Sequence, residues 1–351
     1  MRDKYNDPSV AIILLNWKGW KDSIECLESI YQINYHNYNL ILVDNASNDD
    51  SIEKIRDYCS GKIIPESNYV SYTDQNKPIL VKEIDYNEIE AIELEETFIN
   101  SSLNPEKNLI FIKNDRNYGF AEGNNIAIRI VMQKINPDYV LLLNNDTVVD
   151  KKFLMELIHV AQKGEKIGFV GPKIYYYTPN EISKIITFAG GELNKNTFQP
   201  HPIGSDELDN GSFDLEKKVD YVEGSCLLIK NEIINEIGLL DPDYFTYWEE
   251  IDWCFRGQNA GYDSVYAPKA IIWHKGRASD LSANSIYYMI KNRFLFIKKN
   301  AHKVQILSST LYYFGYYFWI ILLSVVILHR DENKKRSFLK GTYDGLKILI
   351  N

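Results

Sequence analysis

The chain has 351 residues, a net charge of −9, 45% apolar residues and 25% charged residues. This length suits one large α/β domain with additions or two modest domains, and the acidic balance provides no basic surface for nucleic acid. The four cysteines form no CxxC pair, so we expect neither a zinc site nor a disulfide framework, and scattered thiols fit a reducing cytosol. The N-terminal residues MRDKYNDPSV lack the apolar run of a secretory signal, so we expect none.

The N-terminal part predicts a strand, a helix and a second strand. The apolar run VAIILLN at 10–16 predicts a buried strand, and KDSIECLESIYQ at 21–32 carries apolar residues at helical spacing. NLILVD at 39–44 predicts the second strand, which completes a βαβ unit. Asp44 and Asn45 stand at its carboxyl end, where open α/β sheets bind their ligands.

Residues 60–107 interrupt this pattern. They are acidic and weakly patterned, and they include Pro65, Pro78 and Pro105. We expect an inserted excursion from the core here, and a solvated surface insertion is favoured over a lid across a ligand site.

The strand pattern resumes with NLIFIK at 108–113, followed by a helix that runs to about Gln133. The next strand begins with an unbroken apolar run, YVLLL, which is typical of a parallel sheet buried on both faces. It ends in Asn144, Asn145 and Asp146, whose side chains bind hydrogen-bond donors and hard cations, so it predicts one edge of a site. Further elements are predicted as a helix within 150–162, short strands within 169–176, 188–193, 222–230 and 271–274, and a helix entered near 248.

The C-terminal part predicts helices. Residues 284–300 form a basic helical pattern, and residues 304–328 contain no charge over 25 positions. About 20 apolar residues suffice to span a bilayer, and Tyr and Trp, frequent here, favour membrane interfaces. We expect membrane association through a span or an in-plane helix, with a buried helix of a soluble protein as the alternative. The chain thus divides into a predicted domain at 8–280 and a helical segment at 281–351.

Motifs spread over roughly residues 8–300 resemble the family 2 glycosyltransferases of the GT-A fold, and their rhamnosyltransferase-like subgroup in particular. The matching stretches are VDNASNDDS at 43–51, NYGFAEGNN at 117–125, LLLNNDT at 141–147, WEEIDWCFR at 248–256 and YYMIKNRFLF at 287–296. The resemblance implies a Rossmann-like, mostly parallel sheet flanked by helices, with a C-terminal helical segment.

The resemblance also implies a nucleotide-sugar site. Asp44 would read a uracil or thymine ring with Asn16 close by, whereas the alternative is that Asp44 caps the next helix. Gly119 allows the backbone to come close to a ligand, and Asn124 would open a helix whose N-terminal amides favour anions. The predicted nucleotide-sugar contacts are Asn16, Asp44, Asn45, Gly119, Asn124 and Asn145.

The family's acidic metal-binding motif falls on NNDT, where Asn144 replaces the first carboxylate and Asp146 supplies the last. One carboxylate with the donor's diphosphate can hold Mg²⁺ or Mn²⁺. His274, at the end of the strand IIWH, is the second predicted metal ligand, with a structural role as its alternative. An Asx turn is the alternative for Asp146.

The family's general base falls on WEEIDWCFR. Position matching favours Glu250, followed by Asp252 and Glu249, and clustered carboxylates raise one another's pKa. The alternative is an acidic first turn that complements the helix dipole. In the neighbouring motif, the polar residues 291–293 would contact phosphate or form a solvated face.

The resemblance implies an inverting, metal-dependent transfer of a sugar, with rhamnose as a candidate, from a UDP- or dTDP-sugar to a glycan or lipid-linked acceptor. The expected setting is cell-surface polysaccharide synthesis at the cytoplasmic face of the cell membrane. Two alternatives remain. One is a non-catalytic, degenerate transferase that acts as an assembly scaffold. The other is a sugar-1-phosphate nucleotidyltransferase, which LLNWKGWKD disfavours because it is not a glycine-rich, basic nucleotide loop.

Overall fold

The computed structural model describes residues 7–99, 107–276, 282–324 and 331–350. The predicted border between residues 280 and 281 lies outside the described residues. So do residues 100–106 of the predicted excursion and residues 325–328 of the predicted apolar segment.

The strands are short to medium in length. In chain order they are β1 Val10–Asn16, β2 Tyr38–Asp44, β3 Leu80–Asp85, β4 Asn108–Lys113, β5 Tyr139–Asn144, β6 Thr147–Val149, β7 Ile167–Tyr176, β8 Ile186–Phe188, β9 Gly191–Leu193, β10 Pro200–Pro202, β11 Lys217–Val219, β12 Cys226–Lys230 and β13 Asp263–His274. The helices are α1 Trp20–Ile30, α2 Ser51–Cys59, α3 Glu96–Ile99, α4 Gly119–Lys134, α5 Phe153–Ala161, α6 Asn231–Ile237, α7 Glu249–Asn259, α8 Ala283–Asn300, α9 Lys303–Tyr312, α10 Phe318–Leu323 and α11 Glu332–Ile350.

Most strands join one sheet, in the order β11-β13-β7-β12-β5-β1-β2-β4-β3. The half from β5 to β3 is parallel throughout, and β12 runs antiparallel to both of its neighbours, β5 and β7. The apolar runs of β1, β2 and β5 are buried along nearly their whole length because helices cover both faces of a parallel sheet. The predicted fold, a mostly parallel sheet flanked by helices, is confirmed.

The predicted excursion contributes a strand to this sheet. β3 pairs in parallel with β4, and it forms the edge of the sheet. Of its residues only Ile84 is buried. An edge strand needs little apolar surface, and its charged side chains discourage pairing with other chains. For this reason the acidic, weakly patterned sequence of residues 60–107 did not reveal the strand at 80–85.

The C-terminal helices build a second, smaller core on one side of the domain. Ile290 and Phe294 of α8 pack against Tyr313 and Phe338. Tyr313 opens a π-helical turn that joins α9 to α10, so Lys303–Leu323 is one helical stretch. Among the described residues, this stretch alone has the length and apolar composition that a membrane span requires.

Candidate active site

Three adjacent strands deliver their polar carboxyl ends to one edge of the sheet. In the register of β1 with β2, Asn16 lies opposite Asp44, and in the register of β1 with β5, Leu15 lies opposite Asn144. Parallel strands end together, so the polar residues that follow each apolar run meet at this edge.

Asn16 is the centre of a buried polar cluster at the strand ends. Its amide nitrogen donates to Asp44 Oδ1 at 2.7 Å, and its Oδ1 accepts from Ser23 Oγ at 2.9 Å and from Asn145 Nδ2 at 3.2 Å. Asp44 is 1% exposed, and its Oδ2 accepts from the backbone N–H of Ser47 at 2.9 Å. Asp44 therefore closes a turn before α2 begins. Asn16, Asp44 and Asn145, all predicted nucleotide-sugar contacts, form one fixed group.

Asn45 connects the end of β2 to the loop before α4. Its Nδ2 donates to Asn117 Oδ1 and to the Gly119 carbonyl, both at 3.0 Å. Its Oδ1 accepts from Asn114 Nδ2 and from the Tyr118 backbone N–H, both at 3.1 Å. Both polar atoms of the amide are thus engaged within the protein, and Asn45 holds this loop in place.

The start of α4 is occupied by another loop of the protein. The helix begins at Gly119, earlier than the sequence prediction at Asn124, and Gly119 has a positive φ of 75°. A Cβ there would lie 2.5 Å from the Phe245 carbonyl oxygen. That oxygen accepts from the backbone N–H groups of Phe120 and Ala121 at 2.6 and 3.2 Å. These first amides, which the sequence predicted to attract anions, are therefore engaged, and Asn124 is buried with its Nδ2 donating to the Phe120 carbonyl at 2.9 Å.

The two predicted metal ligands are in direct contact. His274 Nε2 lies 3.1 Å from Asp146 Oδ1, and His274 Nδ1 lies 3.6 Å from Glu223 Oε1. Burial lowers the pKa of His274, but the two carboxylates outweigh burial and raise it to about 10. Burial raises the pKa of Asp146, but the charge and hydrogen bond of His274 hold it below its ordinary value. Asp146 and His274 thus form an ion pair.

Within the described ranges, no group of three or more His, Cys, Asp or Glu side chains is arranged to bind a metal ion. A divalent ion at Asp146 and His274 would therefore take its remaining ligands from a bound diphosphate and from water.

Glu249 and Glu250 open α7 with buried, unpaired carboxylate oxygens. The Oε2 atom of each has no hydrogen-bond partner. Burial raises the pKa of Glu250 to about 7, with a contribution from the charge of Glu223. Burial and the charge of Glu250 raise the pKa of Glu249 well above its ordinary value. A carboxylate with a pKa near neutrality and a free oxygen can accept a proton, which is the requirement for a general base.

Asp252 has a different environment. Its Oδ2 accepts from Arg256 Nε at 2.7 Å, and its Oδ1 accepts from the Tyr244 hydroxyl at 3.1 Å and from Asn300 Nδ2 at 3.0 Å. The side chain is 2% exposed. Both oxygens of Asp252 are engaged, whereas Oε2 of Glu250 has no hydrogen-bond partner.

The loop before α7 has an unusual backbone. Phe245, Tyr247 and Trp248 have positive φ values of 63°, 67° and 82°, and each such residue costs about 1–3 kcal/mol and persists only where its surroundings hold it. Asn292 of α8 supplies that support, because its Nδ2 donates to three carbonyls within 244–247 at 2.7, 2.8 and 2.9 Å. Asn292 is fully buried. The prediction that 291–293 forms a solvated face is therefore wrong for Asn292.

Two cavities meet at this loop. The larger, here the Asn45 cavity, has a volume of about 690 Å³, and its walls include Trp17, Asn45, Gly119, Tyr247, Tyr288 and Lys340. The smaller, here the Glu250 cavity, has a volume of about 330 Å³, and its walls include Tyr221, Glu223, Tyr247, Glu250, Arg293 and Tyr317. Tyr247 belongs to both walls. The arrangement thus offers two adjoining binding spaces with the candidate base in one of them.

Sequence reasoning did not identify Glu223, Tyr247 or the role of Asn292. Glu223 lies in a loop before β12 and reaches His274 and Glu250 only through the fold. Tyr247 is one of many tyrosines, and no spacing separates it from the rest. A polar residue in the apolar stretch YYMIKNRFLF was the one available signal for Asn292.

Comparison with known proteins agrees with this geometry. Residues 104–293, more than half of the chain, match the family model described as Glycosyltransferase like family 2. The low-salt glycan biosynthesis hexosyltransferase Agl10 of Haloferax volcanii is 26% identical over 188 residues, which cover 53% of this chain and 59% of that protein. The N-acetylglucosaminyl-diphospho-decaprenol L-rhamnosyltransferase of Mycobacterium tuberculosis is 28% identical over 172 residues, which cover 44% of this chain and 56% of that protein. The chain thus spans less than two thirds of the length of either relative.

Among solved structures, the mannosyltransferase PcManGT from Pyrobaculum calidifontis, in complex with GDP-Man and Mn²⁺, is similar with a TM-score of 0.54 at 11% identity. The similarity covers 99% of this chain and 88% of that one, and at this identity it concerns the fold. The predicted resemblance to rhamnosyltransferases is confirmed by the relatives. The chain belongs to the Glycosyltransferase like family 2.

Proposed function

We propose that this protein transfers a sugar, with rhamnose as the first candidate, from a UDP- or dTDP-sugar to a hydroxyl of a glycan or lipid-linked acceptor. The observation that carries the proposal is the position of Glu250. Glu250, whose Oε2 is unpaired, lines one cavity, and Tyr247 lines both this cavity and a second one beside the polar strand ends. A relative named as an L-rhamnosyltransferase supports the choice of sugar.

In this proposal the donor occupies the Asn45 cavity. The polar cluster of Asn16, Asp44 and Asn145 shapes the adjoining strand ends, and Asp44 is the proposed reader of the pyrimidine ring. Gly119 leaves room at the cavity wall, where any side chain would collide with Phe245. Asn45 and Asn124 act through the loop and the helix that they stabilise.

The acceptor occupies the Glu250 cavity. Glu250 accepts the proton of the acceptor hydroxyl while that oxygen attacks the anomeric carbon and the bond to the nucleoside diphosphate breaks. The electron pair of the broken bond leaves with the diphosphate, and one displacement inverts the anomeric centre. Burial, with a contribution from the charge of Glu223, keeps the pKa of Glu250 high enough to accept this proton near neutral pH.

Mg²⁺ or Mn²⁺ is part of the proposal. Asp146, together with His274 once its imidazole has lost its proton, would supply a partial ligand set. Such ions commonly combine one or two protein carboxylates with substrate phosphates. When bound, the ion neutralises charge on the departing diphosphate. A solved neighbour that contains Mn²⁺ supports this expectation.

The proposed setting is the cytoplasmic face of the cell membrane, in the synthesis of a cell-surface polysaccharide. The name of one relative contains a polyprenyl-diphosphate acceptor, which supports a lipid-linked acceptor here as well.

The test is the release of UDP or dTDP from a panel of nucleotide-sugars, with a membrane glycan extract as acceptor and with Mg²⁺, Mn²⁺ or EDTA. We expect one donor to turn over, and Glu250→Gln to lower kcat by about 10²–10⁴-fold because the base is lost. Asp146→Asn should weaken metal binding, so turnover should require a higher concentration of Mg²⁺ or Mn²⁺. The control is Glu207→Gln, since Glu207 is exposed and lies outside both cavities. Absence of both turnover and nucleotide binding in the wild type would overturn the proposal and favour a non-catalytic scaffold.

A further inference from the structure

The helical stretch Lys303–Leu323 exposes a continuous apolar stripe. Its most exposed residues recur at helical spacing and contain no charge. They are Val304, Leu307, Leu311, Tyr316, Trp319, Ile320 and Leu323, each 44–78% exposed. A soluble protein seldom leaves a contiguous apolar surface of this extent uncovered, so the stripe indicates a binding surface.

α11 adds a second exposed apolar row beside basic residues. Leu339, Tyr343 and Ile350 are 41%, 62% and 81% exposed. Exposed basic side chains lie on the same C-terminal helices. Among the described residues, those that form no ion pair are Lys298, Lys303, Arg336, Lys340 and Lys347.

The charge of this segment is opposite to that of the rest of the chain. Residues 281–351 hold eleven Lys and Arg against three Asp and Glu, a net charge of +8 within a chain whose total is −9. A basic, apolar surface on an acidic protein is complementary to anionic lipid headgroups over an apolar membrane interior.

The other side of the stretch contacts the domain near its start and contacts α11 further along. Gln305 Nε2 donates to the Lys195 carbonyl at 2.8 Å, and Ser308 Oγ donates to the Asn196 carbonyl at 2.6 Å. Further along, the ring of Phe318 packs against Phe338 at 5.2 Å. A helix that spans a bilayer must face lipid or other membrane-embedded protein on all sides. Gln305 and Ser308 instead join the start of this stretch to the domain, which favours a helix in the plane of the membrane.

We propose that α9, α10 and α11 form a docking surface that lies in the plane of a membrane and recognises anionic lipid headgroups. The inference deepens the proposed function, on which it rests for the class of acceptor. Tyr317, from the turn between α9 and α10, lines the Glu250 cavity, and Lys340 of α11 lines the Asn45 cavity. Docking therefore places both cavities next to the headgroups, where a lipid-linked sugar is presented.

The test uses the full chain and two kinds of vesicle, phosphatidylcholine alone and phosphatidylcholine with phosphatidylglycerol, in a co-sedimentation assay without donor. We expect binding to the anionic vesicles only, weakened by salt. Arg336→Glu should reduce affinity roughly tenfold, since each basic residue near a membrane surface contributes several-fold. Leu307→Glu should reduce the affinity by at least about tenfold, because it places a charge in the apolar stripe that docking buries in the membrane.

Matched controls are Leu215→Glu and Lys184→Glu, which alter exposed residues far from these helices and should bind as the wild type does. Equal binding to both vesicles, or no effect of either helix variant, would overturn the proposal. Resistance of the membrane-bound protein to alkaline extraction would indicate a span and would also overturn it. Turnover of a soluble acceptor by a chain that fails to bind vesicles would leave the proposed function intact, so the two failures are distinguishable.

Discussion

The buried environment that suits Glu250 to accept a proton also disfavours its ionised form, which lowers the stability of the folded protein. Burial raises the pKa of Glu250 from an ordinary 4.5 to about 7, so the folded state favours the protonated form. The group has no stability cost below its ordinary pKa, the cost grows as the pH rises from about 4.5 to about 7, and above that it stays constant. Active sites often retain groups that lower the free energy of unfolding in this way.

Glu250→Gln should therefore stabilise the protein while it abolishes proton transfer. The amide cannot ionise, so at about pH 8 the free energy of unfolding should rise by roughly 2–3 kcal/mol. At about pH 4 the wild-type carboxyl is also neutral, and the difference should vanish. Urea denaturation of both proteins at the two pH values measures this. Equal stability at the higher pH would show that Glu250 ionises without cost in the folded protein.

At the scale of elements, α8 and the loop before α7 act as a unit. The two amide hydrogens of Asn292 are shared among three carbonyls of residues 244–247, so one side chain holds the whole loop. Phe245 in turn caps α4, and Trp248 Nε1 donates to the Met289 carbonyl at 3.0 Å. The loop is thus held from the donor side by α4 and from the C-terminal side by α8, directly before Glu249 and Glu250.

Asn292→Ala should release this loop. Three carbonyls, one of them in a fully buried hydrogen bond, lose their donor, so the free energy of unfolding should fall by about 1–3 kcal/mol. Because the loop precedes the base, kcat should fall more than the KM of the donor changes. The control is Asn39→Ala, which removes a buried amide that donates to the Phe98 carbonyl at 2.7 Å, away from both cavities.

Steady-state kinetics and urea denaturation of both variants distinguish positioning from general stability. Similar losses of stability with kcat reduced only in Asn292→Ala would support the positioning role. Equal reductions of kcat in the two variants would contradict it.

The parts of the sequence with strong local patterns were predictable. β1 and β4 have the predicted bounds, because each is an unbroken apolar run between polar residues. β3 was missed because an edge strand needs few buried residues, and the start of α4 was placed late because Asn124, rather than Gly119, was taken as its opening residue. The hydrophobic pattern of a segment locates its strands and helices. Edge strands and helix ends depend in addition on contacts with residues from elsewhere in the chain.

For the whole molecule, the motifs predicted Glu250, Asp146 and His274 as site residues by resemblance, and the fold brings Asp146 and His274 into contact. Their contact depends on the pairing of β6 with β13, in which Thr147 lies opposite His274, and no sequence spacing reveals it. The opposite charges of the two parts of the chain were present in the composition, yet their meaning depends on which side chains the helices leave exposed.

The shared wall at Tyr247 has a consequence for the order of events. In the proposed single displacement, donor and acceptor occupy at the same time the two cavities that share Tyr247 in their walls. Initial rates measured against both substrates should then give intersecting lines in double-reciprocal plots. Parallel lines would indicate that the first product leaves before the second substrate binds, and hence a covalent intermediate. The kinetic pattern thus tests whether the two adjoining cavities are filled at the same time.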